Sequence, residues 1–189
     1  LVPDPEWKFA TYRENWGTGD TVNMAIGQGF VLVTPLQISR MIAAVANGGT
    51  LYQPYLVERI EGNDLIPELR TSPTVAGNLP VSAAHLALIQ GAMLGVTTNR
   101  EIGTATHRFT GLDILVAGKT GTAETSQETA EPHSWFAGYF PADAPEIAMV
   151  VLAENAGEGS TIAAPMFRQV IEGYYGLPIT PLPTATPVP

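Results

Sequence analysis

Three strand-length segments in the last third of the chain constrain its fold more than any other feature. Ile114 to Glu124 reads as a strand with small residues at its centre, His133 to Phe140 is aromatic-rich, and Ile147 to Ala153 is a nearly continuous apolar run. The links between them are a polar loop from Thr125 to Pro132 and a turn, Pro141-Ala142-Asp143-Ala144-Pro145. Strands joined so briefly pair as an antiparallel meander. The run Ile-Ala-Met-Val-Val-Leu-Ala has no polar parity, as expected of a strand covered on both faces.

Helices frame these strands. Thr34 is a good N-cap and Pro35 takes the first helical position, where its missing N–H is no loss. Leu36, Ile38, Met41, Ile42 and Val45 give that helix an apolar face, and Asn47-Gly48-Gly49 stops it. A second helix is expected from about Ser82 to Val96, with Leu86, Ile89, Gln90 and Met93 at helical spacing. A last one ends near Tyr175, with Pro165 in its first turn. Residues 1–19 read as loop, and Thr21 to Gly29 as a short segment ending in Gly27-Gln28-Gly29. Leu51 to Ile60 reads as an extended strand, Gly62-Asn63-Asp64 as a turn, and residues 65–80 fit either state. From Pro178 onward Pro, Thr and small apolar residues cannot bury enough surface to fold, so an extended, disordered tail is expected over 178–189. Residues 1–177 are then one domain of mixed α/β (α+β) class, an antiparallel sheet packed by helices.

With 189 residues, 45% hydrophobic and 14% charged, the chain has apolar material for one substantial core. The net charge of −9 repels phosphate backbones, so nucleic acid is not an expected partner. There is no cysteine, which excludes disulfides, thiolate metal sites and cysteine nucleophiles. His85, His107 and His133 have no partner at metal-ligand spacing, so no metal and no cofactor are expected. No apolar run reaches the roughly 18 residues of a membrane span. The sequence opens at Leu1 in an apparent loop, which suggests a cut from a longer chain.

One segment carries chemistry: Val116-Ala117-Gly118-Lys119-Thr120-Gly121-Thr122-Ala123-Glu124. Lys119 is one of two lysines, the other being Lys8, and it stands mid-strand among glycines and threonines. A lysine there is unfavourable to bury unless an anion meets it. Gly121 removes a side chain and lets another molecule approach the backbone. Thr120 and Thr122 share a face of the strand, so their hydroxyls could hold one carboxylate with Lys119 supplying positive charge. By itself the tetrapeptide also reads as an ordinary edge strand with solvated threonines.

Lys-Thr-Gly is a signature of penicillin-binding proteins and class A β-lactamases. Over roughly residues 16–176 the surroundings resemble the class B penicillin-binding transpeptidases. Trp16 with Gly19-Asp20-Thr21-Val22-Asn23 resembles that family's Gly-Asp segment. Ile26-Gly27-Gln28-Gly29 followed by Thr34-Pro35-Leu36-Gln37 resembles its next signature, and Ala46-Asn47-Gly48-Gly49 the end of the following helix. Lys119 to Ala123 resembles the third catalytic motif, and Trp135-Phe136-Ala137-Gly138-Tyr139 the next strand. Each match is short; five in order identify the family.

The resemblance implies the C-terminal portion of the penicillin-binding/serine β-lactamase-like fold. It implies that Lys119, Thr120, Gly121 and Thr122 bind the terminal carboxylate end of a D-alanyl-D-alanine stem peptide. Lys119 and the Thr122 backbone N–H would be the catalytic groups, the latter as half of an oxyanion hole. Implied partners are the peptidoglycan stem peptide, β-lactam antibiotics and other cell-wall synthesis proteins. The implied place is the extracytoplasmic face of the membrane, with an anchor upstream.

The chain departs from the family where the nucleophile should be. No serine has a lysine three residues on, and Ser-x-Asn is absent. In relatives both motifs precede the Gly-Asp segment, so they are expected before Leu1, and this chain alone is expected to be inactive. A second reading keeps the fold without the nucleophile, as a β-lactam sensor or cell-wall binding module; a β-lactamase is a third. Among other residues, Gln28 reads as a contact near the site or as a turn amide bonding backbone groups. Glu124 and His133 read as site groups or as solvated strand-end positions. Trp135, Phe136, Tyr139 and Phe140 read as sheet packing, and Asp20 and Asn23 as turn and capping residues.

Overall fold

The computed structural model describes residues 2–62, 67–125 and 131–183. The expected meander is its centre: β5 (Ala117–Ala123), β6 (His133–Phe140) and β7 (Ile147–Ala153), antiparallel in the order β5-β6-β7. Around it lie α1 (Pro5–Tyr12), α2 (Thr18–Ala25), α3 (Pro35–Ala46), α4 (Ala83–Thr98), α5 (Thr106–Phe109) and α6 (Ala163–Tyr174). Two small antiparallel ribbons complete the described elements: β1 (Thr50–Tyr52) with β4 (Val75–Asn78), and β2 (Arg59–Glu61) with β3 (Pro67–Arg70).

Side chains alternate along each strand, so the sheet sorts its residues between two cores. Phe136 and Phe140 point to the side of α5 and α6 and pack with Phe109, Phe167 and Ile171. Phe136 meets Phe167 edge-on at 4.7 Å between ring centroids, a favoured aromatic geometry. Tyr139 and Ala117 point to the other side and pack with Ile42, Val45, Leu86 and Met93 of α3 and α4. Burying one such side chain is worth roughly 1.5–3 kcal/mol. β7 is half-buried along its whole length, with α3 on one face and α6 on the other.

The helix punctuation holds at residue level. Thr34-Pro35-Leu36-Gln37 is a reciprocal capping box. The Thr34 hydroxyl accepts from Gln37 N–H at 3.2 Å, and the Gln37 Oε1 accepts from Thr34 N–H at 2.8 Å. Asn47 closes the other end by bonding both backbone groups of Thr50, while Gly48 and Gly49 adopt φ of 87° and 110°. Such angles are open to glycine and strained for other residues. Ser82 caps α4 by accepting from His85 N–H, and Pro165 lies in the first turn of α6.

Other expectations need correction. Residues 1–19 are not all loop: Asp4 caps α1 with Pro5 just inside it, and α2 begins at Thr18. The helix α1 is only eight residues long and is held by tertiary packing, Trp7 and Tyr12 closing on Phe30 at 5.5 and 5.1 Å. Lys8 is buried there, its ammonium 2.8 Å from Asp20 and 5.5 Å from the Phe30 ring centroid. The single strand expected over 51–60 is two short strands in different ribbons, interrupted around Pro54, which cannot donate to a ladder. The turn at Asn63-Asp64 and most of the polar loop after Thr125 lie outside the described residues.

The stretch after Pro178 has no regular structure through Pro183, but it is fastened. Thr180 donates both its backbone N–H and its hydroxyl to the Glu172 carboxylate, each at 2.6 Å. Arg168 donates to the same carboxylate at 2.7 Å and to the carbonyls of Arg108 and Thr110. Burial opposes charge on Glu172, yet the hydrogen bonds from Thr180 and Arg168 outweigh it and hold its carboxyl below the ordinary range.

Candidate active site

β5 is an edge strand among the described residues, paired with β6 on one side and with no strand on the other. Its register sets the placement of every side chain on it. Thr120 and Thr122 stand opposite Phe136 and Ser134, on the side of α5 and α6. Lys119 stands opposite Ala137, on the side of α3 and α4. The two hydroxyls therefore share a face, as the alternation requires. Lys119 is rooted on the opposite face and reaches around the unpaired edge, where its ammonium donates to the Thr120 carbonyl at 2.7 Å.

The backbone is oriented as well. In an antiparallel strand the N–H and C=O of one residue point to the same edge. The Thr120 carbonyl meets the Lys119 ammonium, and the Thr122 carbonyl accepts from the Gln28 side-chain amide at 3.0 Å. Both carbonyls thus face away from β6, and the Thr122 N–H faces the same way. Gly159 bears this out from above the sheet. A Cβ there would come within 2.4 Å of both the Gly121 and Trp135 carbonyl oxygens, which places those two close together between the strands.

Each hydroxyl has a partner from a separate segment. Thr120 Oγ1 lies 2.9 Å from Thr104 Oγ1, and either can donate. Thr122 Oγ1 accepts from Gly159 N–H at 3.3 Å, leaving its own proton to offer. Thr104 is delivered by a tight turn after α4. At the preceding Gly103 a Cβ would come within 2.5 Å of the Asn99 carbonyl and 2.6 Å of that of Gly95. Lys119, Thr104 and Thr122 are exposed and Thr120 is half-buried, so the group lies along an accessible edge. The arrangement offers a cation, hydroxyl donors and an outward N–H to an anionic, carbonyl-bearing ligand.

The glycines have internal explanations. A Cβ on Gly121 would come 3.1 Å from Trp135 Cβ, and one on Gly118 would enter the Phe136 ring at 2.5 Å. Gly121 is therefore small because of its cross-strand neighbour as much as for any ligand.

The remaining candidates separate clearly. Gln28 meets both descriptions, since the backbone group it bonds belongs to the site strand. His133 is half-buried, and its Nδ1 accepts from Asn155 N–H at 3.0 Å. Glu124, His85 and His107 are exposed, and no metal-ligating cluster occurs among the described residues. Phe136, Tyr139 and Phe140 pack the sheet. Asp20 accepts from Gly17 N–H at 2.7 Å, capping α2, and also pairs with Lys8. The Lys8 hydrogen bond, followed by that of Gly17, holds the Asp20 carboxyl below the usual range.

Sequence reasoning missed Thr104 and Gly159. Their contacts to β5 span 16 and 37 residues; the crowding at Gly103 and Gly159 is visible only in three dimensions. Among the described residues Ser39, Ser82 and Ser134 bond backbone groups, and no serine is paired with a lysine.

A helix-flanked antiparallel meander carries Lys-Thr-Gly-Thr on its open edge, and Lys-Thr-Gly is a signature of penicillin-binding proteins and class A β-lactamases. The chain matches the penicillin binding protein transpeptidase domain over residues 4–172, and it belongs to that family. It is 35% identical over 188 residues to peptidoglycan D,D-transpeptidase MrdA of Haemophilus influenzae, covering 92% of this chain and 28% of that one. Among solved structures it is similar to Pseudomonas aeruginosa PBP2 in complex with WCK 5153, at TM-score 0.77 and 33% identity, over 100% of this chain and 40% of the other. It is also similar to the imipenem acyl-enzyme of penicillin-binding protein A from M. tuberculosis, at TM-score 0.68 and 35% identity, over 81% and 33% of the two chains. The chain thus spans well under half the length of the relatives it matches.

Proposed function

We propose that this chain forms the substrate-gripping wall of a peptidoglycan D,D-transpeptidase whose nucleophile lies on sequence outside these 189 residues. The outward-facing edge at Thr122 carries the reading. On that edge Lys119, Thr120 and Thr122 hold the terminal carboxylate of a D-alanyl-D-alanine stem peptide, and Gly121 keeps the strand close to it. The Thr122 N–H donates to the oxygen of the attacked carbonyl as negative charge develops there. Losing one such donor typically costs about 2.7–4 kcal/mol of barrier.

The serine oxygen adds to the penultimate D-alanine carbonyl. The amide C–N bond breaks, and the terminal D-alanine leaves with a proton on its nitrogen. An amine from a neighbouring strand then attacks the resulting serine ester, the ester C–O bond breaks as the new amide forms, and a proton from that amine restores the serine hydroxyl. β-Lactams mimic the donor and stall at the acyl stage. Other cell-wall synthesis proteins are the expected partners, and the extracytoplasmic membrane face is the expected place. No helix among the described residues is long and apolar enough to cross a membrane. Ile26, Leu36 and Leu88, 72%, 63% and 70% exposed, supply apolar surface that the rest of a transpeptidase domain would cover.

A fluorescent penicillin tests the proposal. The 189-residue chain alone takes no covalent label. The same chain with a Ser-x-x-Lys segment upstream takes one label per molecule, and Lys119→Ala lowers that acylation by roughly tenfold to a hundredfold, the worth of a charged hydrogen bond. Labelling of the chain alone, or none when the segment is present, would overturn it; the second result would favour the sensor or binding module.

A further inference from the structure

We infer that Gln28 is a positioning residue for acyl transfer, holding the Thr122 peptide so that its N–H meets the developing oxyanion; this rests on the transpeptidase reading above. Gln28 is the half-buried residue in an exposed stretch from Thr21 to Gly29. Two glycines with φ of 79° and 71°, Gly27 and Gly29, flank it and turn the chain so that its side chain points inward. Its own N–H is anchored on the Asn23 carbonyl at 2.9 Å, and a Cβ at Gly29 would press on Asn23 Cβ at 3.2 Å. The side-chain amide then crosses 94 residues of sequence to donate to the Thr122 carbonyl at 3.0 Å.

The bond falls where an edge strand is least constrained. β6 fixes the other edge of β5, and no described strand pairs with the edge on which the Thr122 carbonyl lies. The N–H and C=O of Thr122 lie on one edge, so pinning the carbonyl fixes the orientation of the donor beside it. Catalytic donors must be held to within about 0.5 Å and 10–20°. A carbonyl oxygen can only accept, so the group opposite it must be a donor. Glutamine satisfies this at every pH, whereas glutamate satisfies it only when protonated. A glutamate carboxylate would set two acceptors against each other.

That difference makes the test. In the chain joined to its nucleophile-bearing segment, acylation by fluorescent penicillin is resolved into binding and the first-order acylation step across pH 4.5–8. Gln28→Ala is expected to slow the acylation step by roughly tenfold to a hundredfold, the effect of a small misplacement of a reacting group, with less change in binding. Gln28→Glu is expected to be slower still at pH 8 and to recover toward wild type as pH falls; the Gln28→Ala deficit stays flat. If Gln28→Ala unfolds the chain, seen as loss of the cooperative melt, the Gln28→Glu pH profile decides alone. A Gln28→Glu rate in constant ratio to wild type across the range would overturn the inference, as would a wild-type rate in a folded Gln28→Ala. Failure of the wild-type chain to acylate at all would instead overturn the transpeptidase reading.

Discussion

The inner face of the sheet and its open edge are built on opposite plans. On the face toward α5 and α6, Phe109, Phe136, Phe140 and Phe167 interlock with little solvent exposure. Along the edge of β5 three separate segments, carrying Gln28, Thr104 and Gly159, each make one hydrogen bond to the Lys-Thr-Gly-Thr stretch. The face is redundant, because every ring has several neighbours. The edge is held differently, since among the described residues these three contacts come from three different segments, one bond from each. Stability should therefore concentrate in the first region, and sensitivity of function in the second.

The sharpest way to break that contrast is at Phe167, which is fully buried and touches three other rings. Phe167→Ala is expected to destabilise the chain by about 3–5 kcal/mol, read as a drop in the urea midpoint. A change below about 1 kcal/mol would mean that the aromatic core is not where stability resides. A smaller effect of the opposite kind is expected at Thr104. Thr104→Val keeps the shape but removes the hydroxyl facing Thr120, a loss of about 0.5–1.5 kcal/mol. In the chain with its nucleophile this should appear as weaker penicillin binding, with the urea midpoint moving far less than in Phe167→Ala. A stability loss without a binding loss would make Thr104 part of the scaffold.

The smallest effect concerns the N-terminal helices that precede Gln28. The Asp20 carboxyl is held below its ordinary range by Lys8 and then Gly17, so its contribution to folding is full above the unfolded value near 3.9. It is lost as pH falls through the lower folded value. Lys8 is raised, mainly by the Asp20 hydrogen bond, so its contribution is full below about 10.4 and lost as pH rises through the folded value. In a Trp135→Phe background, fluorescence reports Trp7 and Trp16 alone. Acidification from pH 5 to 2 should shift that signal, and Asp20→Asn should blunt the shift.

What could be read from the sequence was whatever local chemistry decides. The Thr34 box, the Ser82 cap, the Gly48-Gly49 stop and the strand alternation that puts Thr120 and Thr122 on one face all follow from nearest neighbours. Thr104 and the carbonyl grip of Gln28 do not, since each is defined by a partner far along the chain. The short helix α1 was hidden for a related reason. Its aromatic residues find their neighbour, Phe30, only after the chain folds back. Lys119 was half legible: the motif singled it out as a candidate, but its path around the strand edge to the Thr120 carbonyl runs where no described strand lies.

Thr180 gives the proline-rich stretch a mechanical meaning. A polypeptide stopping at Leu177 would take from the Glu172 carboxylate both Thr180 donors and leave it the Arg168 guanidinium. Arg168 also grips the carbonyls of Arg108 and Thr110, so a disturbance at the tail would be transmitted to the turn beyond α5. What looks by composition like a tether is, for its first few residues, a latch on the last helix.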